Sequence, residues 1–168
     1  MRRGRKLSLD ALAERTGLTK SYLSKVERGV AVPSIASIIK LSAAFGVDVA
    51  HLFGEAVEED TIVVERRQKI ARRNGSPDSR VVPIARKRAE KTMSPFIMYP
   101  STSRDESLHE HAGEELIYVL DGEVEATLPD RKVRLNSGDT MYFDGHVPHQ
   151  LRSIETPAEV LIIISKTR

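Results

Sequence analysis

The sequence predicts an α + β chain of two domains, an all-α domain at the N-terminus and an all-β domain behind it. Three observations indicate this division. Apolar residues recur at helical spacing between turn glycines over residues 1–53, the pattern fades over residues 54–74, and short strand-like runs become frequent beyond residue 92. With 168 residues, 40% of them hydrophobic, the chain can bury two small cores. We therefore set the domains at 1–53 and 75–168, with a linker and leading strand at 54–74.

The first predicted helix is "LDALAERT". Ser8 is well placed to cap its N-terminus, because a serine oxygen can accept a hydrogen bond from a free backbone N–H of the first turn. Leu9, Leu12 and Ala13 form the apolar stripe that faces a core. Gly17 is expected to end the helix in a left-handed conformation.

Three more helices are predicted downstream. Thr19 caps "KSYLSKVER", which Gly29 closes. Pro33-Ser34 begins "SIASIIKLSAAF", and Gly46 ends it. The short segment "DVAHLF" then forms a fourth helix, after which the helical spacing of apolar residues is lost.

Seven short runs beyond residue 92 have the length and turn-bounded pattern of strands in a sandwich or barrel. They are "PFIMY", "ELIYVL", "EVEATL", "KVRL", "TMYF", "HQLRSI" and "EVLIII". Asp121-Gly122 separates two of them and predicts a tight hairpin. Upstream, the acidic "GEAVEED" predicts a hinge between the domains, and "TIVVERRQKI" predicts the leading strand.

The strand "ELIYVL" is apolar on both of its faces. Ile117 and Val119 lie on one face, and Leu116, Tyr118 and Leu120 lie on the other. A strand with one solvent-exposed face would alternate apolar and polar residues, so we expect such strands to be covered on both sides. A second subunit could supply the outer cover, which favours a homodimer.

Charge is unevenly distributed, although the net charge is only +2. Residues 1–53 carry +5, residues 54–91 carry +3, and residues 92–168 carry −6. A basic N-terminal region and an acidic C-terminal region indicate that the N-terminal region binds a polyanion. The alternative is chance clustering of solvated charges.

Composition narrows the class of protein further. The absence of cysteine excludes disulfides, a thiolate nucleophile and cysteine-held zinc. The longest apolar runs are too short to span a bilayer, and the basic start lacks the apolar segment of a signal peptide. The sequence therefore predicts a cytoplasmic protein with no membrane partner.

The second helix has one polar, basic face that predicts DNA binding, with an ordinary solvated face as the alternative. Two helices joined by a turn, the second basic on its outside, are typical of a helix-turn-helix. Lys20 and Ser21 lie near the N-terminus of the second helix, where base contacts are made. Tyr22 and Arg28 lie further round, where phosphate contacts are expected. The predicted DNA-binding residues are Thr19, Lys20, Ser21, Tyr22, Ser24, Lys25 and Arg28.

Residues 6–53 resemble the phage-repressor (Xre) family of helix-turn-helix regulators. The segment "GLTKSYLSKVERG", followed by a proline, carries the most specific part of the resemblance. The resemblance implies that Leu18 to Gly29 contain the recognition helix, with Lys20, Ser21 and Lys25 at base-reading positions. Family members have a helix ahead of "LSLDALA", where this sequence has only "MRRGRK". We therefore expect a truncated first helix, or a different element in its place.

In the second domain, "HEHAGEE" predicts a metal site. In a strand, residues two apart face the same way about 7 Å apart, so His109 and His111 could aim at one point. Glu115 and His149 would complete a site with three nitrogens and one oxygen. Zinc, iron, manganese, nickel and copper all accept such ligands. Surface or core histidines are the alternative.

The same residues resemble the two sequence motifs of the cupin family. His109, His111, Glu115 and Gly122 fit the first motif, and "GDTMYFDGHVPH" resembles the second, with Gly138 opening it and His149 at its histidine position. The second motif departs from the family pattern at Asp144, His146 and Ser153. Over about residues 75–166 the resemblance implies a double-stranded β-helix, or jelly-roll, barrel that is often dimeric.

The barrel interior could hold a small molecule. Candidates for its lining are Met98, Tyr99, Met141 and Phe143, with core packing as the alternative for each. His146 is expected on an exposed turn rather than in the pocket.

Together these features predict a transcriptional regulator whose barrel binds a small-molecule effector, a divalent metal, or both. Its expected partners are double-stranded DNA with two half-sites, an unidentified effector, and a second copy of the chain. The alternative is a metal-dependent cupin enzyme, of dioxygenase or isomerase type, fused to a DNA-binding module. We favour sensing, because no acid–base pair is identifiable beyond the ligands.

Overall fold

The computed structural model of the chain describes residues 1–52, 62–66, 80–85, 91–103 and 107–165. The first of these ranges is helical, and the last three form a barrel of two antiparallel sheets. The helices are α1 (Leu9–Thr16), α2 (Lys20–Glu27), α3 (Ile35–Phe45) and α4 (Val49–Leu52), preceded by a 3₁₀ turn at Arg3–Arg5. Among the described helices none is long and apolar enough to cross a membrane.

Local capping sets the helix boundaries, as predicted. The side chains of Ser8, Thr19 and Ser34 each accept a hydrogen bond from a backbone N–H three residues on. Gly17 and Gly46 follow α1 and α3 with φ of 66° and 59°, the left-handed region where glycine has no steric cost.

The helical domain packs around Leu12, Leu23, Leu41 and Phe45. The 3₁₀ turn lies where the family resemblance implies a further helix. From beside that turn, the Arg2 guanidinium donates to the Glu27 carboxylate of α2 at 2.6 and 3.0 Å. The cover is incomplete, because a cavity of about 220 Å³ remains between Met1 and Arg2 and the helical core.

The described residues of the barrel form eight strands in two sheets. The five-stranded sheet has the order β1-β2-β8-β3-β6, and the three-stranded sheet has the order β5-β4-β7. All seven predicted strands are present, and β1 is additional. The strands are β1 (Arg80–Pro83), β2 (Met93–Tyr99), β3 (Glu114–Asp121), β4 (Glu123–Thr127), β5 (Lys132–Asn136), β6 (Thr140–Asp144), β7 (Gln150–Ser153) and β8 (Glu159–Ser165).

Two local predictions were wrong. Asp121-Gly122 does not join a hairpin, since β3 pairs with β6 and β8 whereas β4 pairs with β5 and β7. The turn instead carries the chain from one sheet to the other, with Gly122 at φ 80°. Within the predicted leading strand, residues 62–66 lie in neither helix nor strand; its remainder and the predicted hinge at 54–60 fall outside the described residues.

Strand β3 shows how the barrel core is built. Glu115, Ile117 and Val119 point inward and are almost completely buried. On the outer face Tyr118 and Leu120 remain 37% and 40% exposed, so the double cover expected from their apolar character is incomplete within one chain.

The two domains share packing. Ile35, Ile38 and Val49 of the helical domain belong to the same buried cluster as the barrel residues Phe96 and Ile162. Helix α3 therefore has two apolar faces, one toward α1 and α2 and one toward the barrel. This contact positions the helical domain against the barrel opening.

Candidate metal centre and nucleic-acid interface

Three of the four predicted metal ligands meet inside the barrel. His111 Nε2 lies 2.7 Å from Glu115 Oε2, and His149 Nε2 lies 3.5 Å from the same oxygen. One ligand atom from each residue falls within 4.8 Å of the other two. His111 and Glu115 are 4% and 3% exposed, so the cluster is largely withdrawn from water.

Backbone pairing between two segments brings the histidines together. The His111 N–H donates to Gly145 O at 2.9 Å, and His109 and His149 exchange backbone hydrogen bonds as an isolated β-bridge. Glu115 enters from β3, where its register partner is Phe143. The ring of Phe143 in turn meets that of His149 edge-on, at 4.8 Å between centroids.

His109 does not join the cluster. It lies on a bridge outside the named strands, and its side chain is exposed whereas His111 is buried. The two histidines do not lie in one named strand here, and the role of His109 as a metal ligand stays a prediction. His109 still lines the cavity onto which Glu115 and His149 open.

Two glycines shape the site, and sequence analysis gave them no role. A Cβ at Gly145 would lie 2.5 Å from the His111 ring, and one at Gly113 would lie 2.1 Å from Ser165 O. Both contacts are closer than real Cβ atoms approach, so residue 145 must lack a side chain for His111 to occupy its position, and residue 113 must lack one to pack against the Ser165 backbone. The only signal in the sequence was their position beside the two histidine motifs.

The hydrogen bonds of the imidazoles indicate what fits between them. His111 Nδ1 lies 3.1 Å from Ala112 O, and His149 Nδ1 lies 2.7 Å from Val147 O. A carbonyl oxygen can only accept, so each Nδ1 donates its hydrogen there. Each Nε2 then faces Glu115 with its own hydrogen when the ring is protonated and with a lone pair when the ring is neutral. Facing acceptors repel unless a proton or a cation lies between them, and this arrangement matches the outer-shell pattern of metal-bound histidines.

Charge within the cluster is balanced in favour of ionised groups. Burial alone would raise the pKa of the Glu115 carboxyl, but hydrogen bonds from His111 and His149 outweigh it and leave that pKa below its ordinary value. Burial would lower the pKa of His149, yet the Glu115 carboxylate holds it above the ordinary histidine value. The site therefore has an affinity for positive charge.

The cluster opens into a cavity of about 290 Å³ at the junction of the two domains. Met98 lines it as predicted, whereas Tyr99 points to the other face of β2 and its hydroxyl lies 3.4 Å from Glu159. Met141 and Phe143 pack against the barrel core. His146 is on an exposed turn, as expected, with Nδ1 2.8 Å from Asp144. Sequence analysis missed the contribution of α3, which lines the cavity with Ser34, Ile35 and Ala36.

The predicted DNA-reading face of α2 is largely open to solvent. Its exposed members are Thr19, Lys20, Ser21, Lys25 and Arg28. Lys20 Nζ forms an exposed ion pair with Asp10 at 2.8 Å, which DNA must replace if Lys20 is to contact a base.

Two further members of the predicted set are half-buried. Ser24 accepts a bond from Arg28 Nε through its backbone carbonyl at 3.1 Å. The Tyr22 hydroxyl donates to Ser37 Oγ at 3.1 Å, so this side chain links α2 to α3. Thr19 uses its hydroxyl oxygen to cap α2.

Two domain families match the sequence, and one of the two curated relatives described here aligns with both parts. The family described as "Helix-turn-helix" matches residues 1–52, and the family described as "Cupin domain" matches residues 96–164. The HTH-type transcriptional regulator PuuR of Escherichia coli is 28% identical over 172 residues, covering 95% of this chain and 85% of the relative. The regulator SlrR of Bacillus subtilis is 40% identical over 60 residues, covering 35% of this chain and 37% of SlrR.

Solved structures have the same two-part fold. An HTH_3 family transcriptional regulator from Vibrio cholerae has a TM-score of 0.67 at 22% identity, covering 99% of this chain and 91% of its own. Hydroxypropylphosphonic acid epoxidase from S. wedmorenis has a TM-score of 0.52 at 18% identity, covering 97% and 92%. The chain thus has a helix-turn-helix match over residues 1–52 and a cupin match over residues 96–164, and PuuR aligns with it across both regions.

Proposed function

We propose that this protein is a sequence-specific transcriptional regulator in which a divalent metal and a small molecule bound in the barrel control DNA binding. The observation that carries this proposal is the convergence of His111, Glu115 and His149 on one cavity in a chain with an open helix-turn-helix face. Relatives that match the chain from its N-terminal domain to its C-terminal domain are named as transcriptional regulators.

The two Nε2 atoms and the Glu115 carboxylate would hold the metal. Two imidazoles and one carboxylate suit zinc, iron, manganese, nickel or copper, and His109 is near enough to the cavity to add a fourth ligand after rotating. A bound ion would supply open coordination positions for an oxygen or nitrogen donor of the effector. The cavity, at about 290 Å³, suits a small metabolite.

DNA reading falls to α2. Lys20, Ser21 and Lys25 would approach base edges in the major groove, and Arg28 would contact phosphate. A homodimer would present two such helices to half-sites roughly 34 Å apart. The exposed apolar residues on β3 and Tyr142, which is 62% exposed, offer a surface for that pairing.

Operator affinity with and without metal tests the proposal. Full-length, metal-stripped protein is used to select its binding sequence from random duplexes, and the dissociation constant is then measured with and without Zn²⁺. A coupling of about 1–3 kcal/mol corresponds to a change of roughly 5- to 150-fold. Glu115→Gln should abolish the response, whereas Glu114→Gln, an exposed neighbour on the same strand, should keep it.

An unchanged dissociation constant in Zn²⁺-loaded wild type would refute metal-dependent control. Failure to select any sequence both with and without Zn²⁺ would refute DNA reading. The alternative, an enzyme that uses the same ligands, predicts metal-dependent turnover of a small substrate and an operator affinity that does not depend on the cavity.

A further inference from the structure

The cavity that holds the candidate metal centre has walls from both domains. The barrel contributes Glu115, His149 and Met98, and the start of α3 contributes Ser34, Ile35 and Ala36. Ile35 and Ala36 are 8% and 6% exposed. A molecule that fills the cavity therefore contacts the DNA-binding domain directly.

The wall residue Ser34 is connected to the recognition helix by hydroxyl groups. Ser34 Oγ lies 3.0 Å from Ser37 Oγ, and Ser37 Oγ accepts from the Tyr22 hydroxyl at 3.1 Å. Ser37 is 4% exposed, so water does not compete strongly for these bonds. The path from cavity to α2 is three side chains long.

The three hydroxyl groups can all donate in the same direction, from Tyr22 through Ser37 and Ser34 toward the cavity. Because Tyr22 donates to Ser37, the Ser37 hydroxyl is free to donate to Ser34. The Ser34 oxygen also accepts from the Ser37 N–H at 3.2 Å, which leaves its own hydrogen for an acceptor in the cavity. A ligand oxygen at that point would complete the chain and favour this orientation of all three hydroxyls.

We propose that the effector site is shared between the domains, and that a cavity ligand bearing a hydrogen-bond acceptor acts on the recognition helix through Ser34, Ser37 and Tyr22. The inference rests on the proposed function, since it assumes that the cavity is the effector site. It adds a route within one chain, so that control need not depend on rearranging a dimer. The ligand class is a small oxygen-rich molecule that reaches both the metal and Ser34.

Hydrogen exchange of the full-length protein tests the shared wall. Zn²⁺ binding is first measured by calorimetry, and amide exchange is then followed with Zn²⁺ alone and with Zn²⁺ plus oxalate. Oxalate is a small dianion that can bind a metal with two oxygens and offer the others to Ser34. We expect exchange in residues 34–38 and in α2 to slow at least threefold with Zn²⁺ and oxalate.

Two serine variants test the route. Ser37→Ala should keep the slowing in residues 34–38 and lose it in α2, because the Tyr22 hydroxyl no longer has its acceptor. Ser42→Ala is the matched control: it is the same substitution on the same helix at 8% exposure, but its hydroxyl bonds to Ile39 O within α3. It should behave as wild type.

The failures are distinguishable. If Zn²⁺ binds but residues 34–38 exchange at an unchanged rate under both conditions, the shared wall is overturned while the metal centre stands. If α2 slows equally in Ser37→Ala, the hydroxyl route is overturned. If calorimetry detects no Zn²⁺ binding, the metal centre of the proposed function fails and this inference fails with it.

Discussion

Lys91 of the barrel domain and Asp48 of the helical domain form a buried ion pair, with Nζ 3.4 Å from Oδ1. Their side chains are 9% and 6% exposed, and the same Nζ donates to Ala85 O at 2.9 Å. A charge pair shielded from water in this way is strongly sensitive to the loss of one member. It therefore marks the domain junction as a defined contact.

Lys91→Met should destabilise the protein by about 3 kcal/mol, because it leaves a buried carboxylate without its lysine. The double variant Lys91→Met/Asp48→Leu should recover much of that loss, since no buried charge remains at the pair. Urea unfolding of the full chain measures both. Equal free energies of unfolding for the single and double variants would contradict this account of the junction.

Gly145→Ala should lower the affinity for Zn²⁺ at least tenfold. The added Cβ would lie 2.5 Å from the His111 ring and would push it away from Glu115. Gly4→Ala is the control, because that glycine has nothing within 4 Å of an added Cβ. Calorimetric titration gives both affinities, and a Gly145→Ala affinity equal to wild type would show that His111 is not needed in this position.

Substitution of His109 and of His111 should affect Zn²⁺ binding differently. His111→Ala should abolish Zn²⁺ binding, since it removes one of three converging donors. His109→Ala should retain binding within about tenfold, because its side chain lies outside the cluster. Metal content after dialysis is the measurement. Equal loss in both variants would show that metal binding draws His109 into the site.

Zn²⁺ affinity should rise with pH through the neutral range. The Glu115 carboxylate raises the pKa of His149, so His149 keeps its proton to a higher pH than an ordinary histidine. The metal binds the neutral imidazole and must displace that proton. The apparent Zn²⁺ affinity is therefore reduced at pH values below the raised His149 pKa and reaches its full value above it. Titrations at successive pH values check the sign, and a flat profile would remove His149 from the ligands.

Arg28→Ala should weaken DNA binding across all sequences and reduce the salt dependence by about one phosphate contact. Lys20→Ala should instead alter sequence preference, by about 1–3 kcal/mol at the base it reads. Arg131→Ala, at an exposed barrel arginine, is the control. Fluorescence anisotropy over a salt series distinguishes the roles, and identical slopes for Arg28→Ala and wild type would exclude phosphate contact.

The helices and most strands follow from local chemistry and could be predicted from the sequence. Ser8, Thr19 and Ser34 cap their own helices within three residues, and the strands are short runs bounded by turn residues, which can be read without reference to a partner strand. The sequence motifs were likewise sufficient to predict that His111, Glu115 and His149 would lie together, and their role as metal ligands stays a prediction. These features depend on neighbours in the chain or on the motif itself.

Tertiary structure alone decided which groups meet across the chain. The turn at Gly122 passes between sheets rather than closing a hairpin, because strand pairing is set by distant partners. The segment of His109 and His111 pairs with residues 145–149 outside any named strand, and of the two histidines only His111 is buried. Helix α3 became a wall of the cavity, and Lys91 met Asp48, through packing between domains. Such contacts join residues far apart in sequence, and no local pattern of charge or hydrophobicity specifies them.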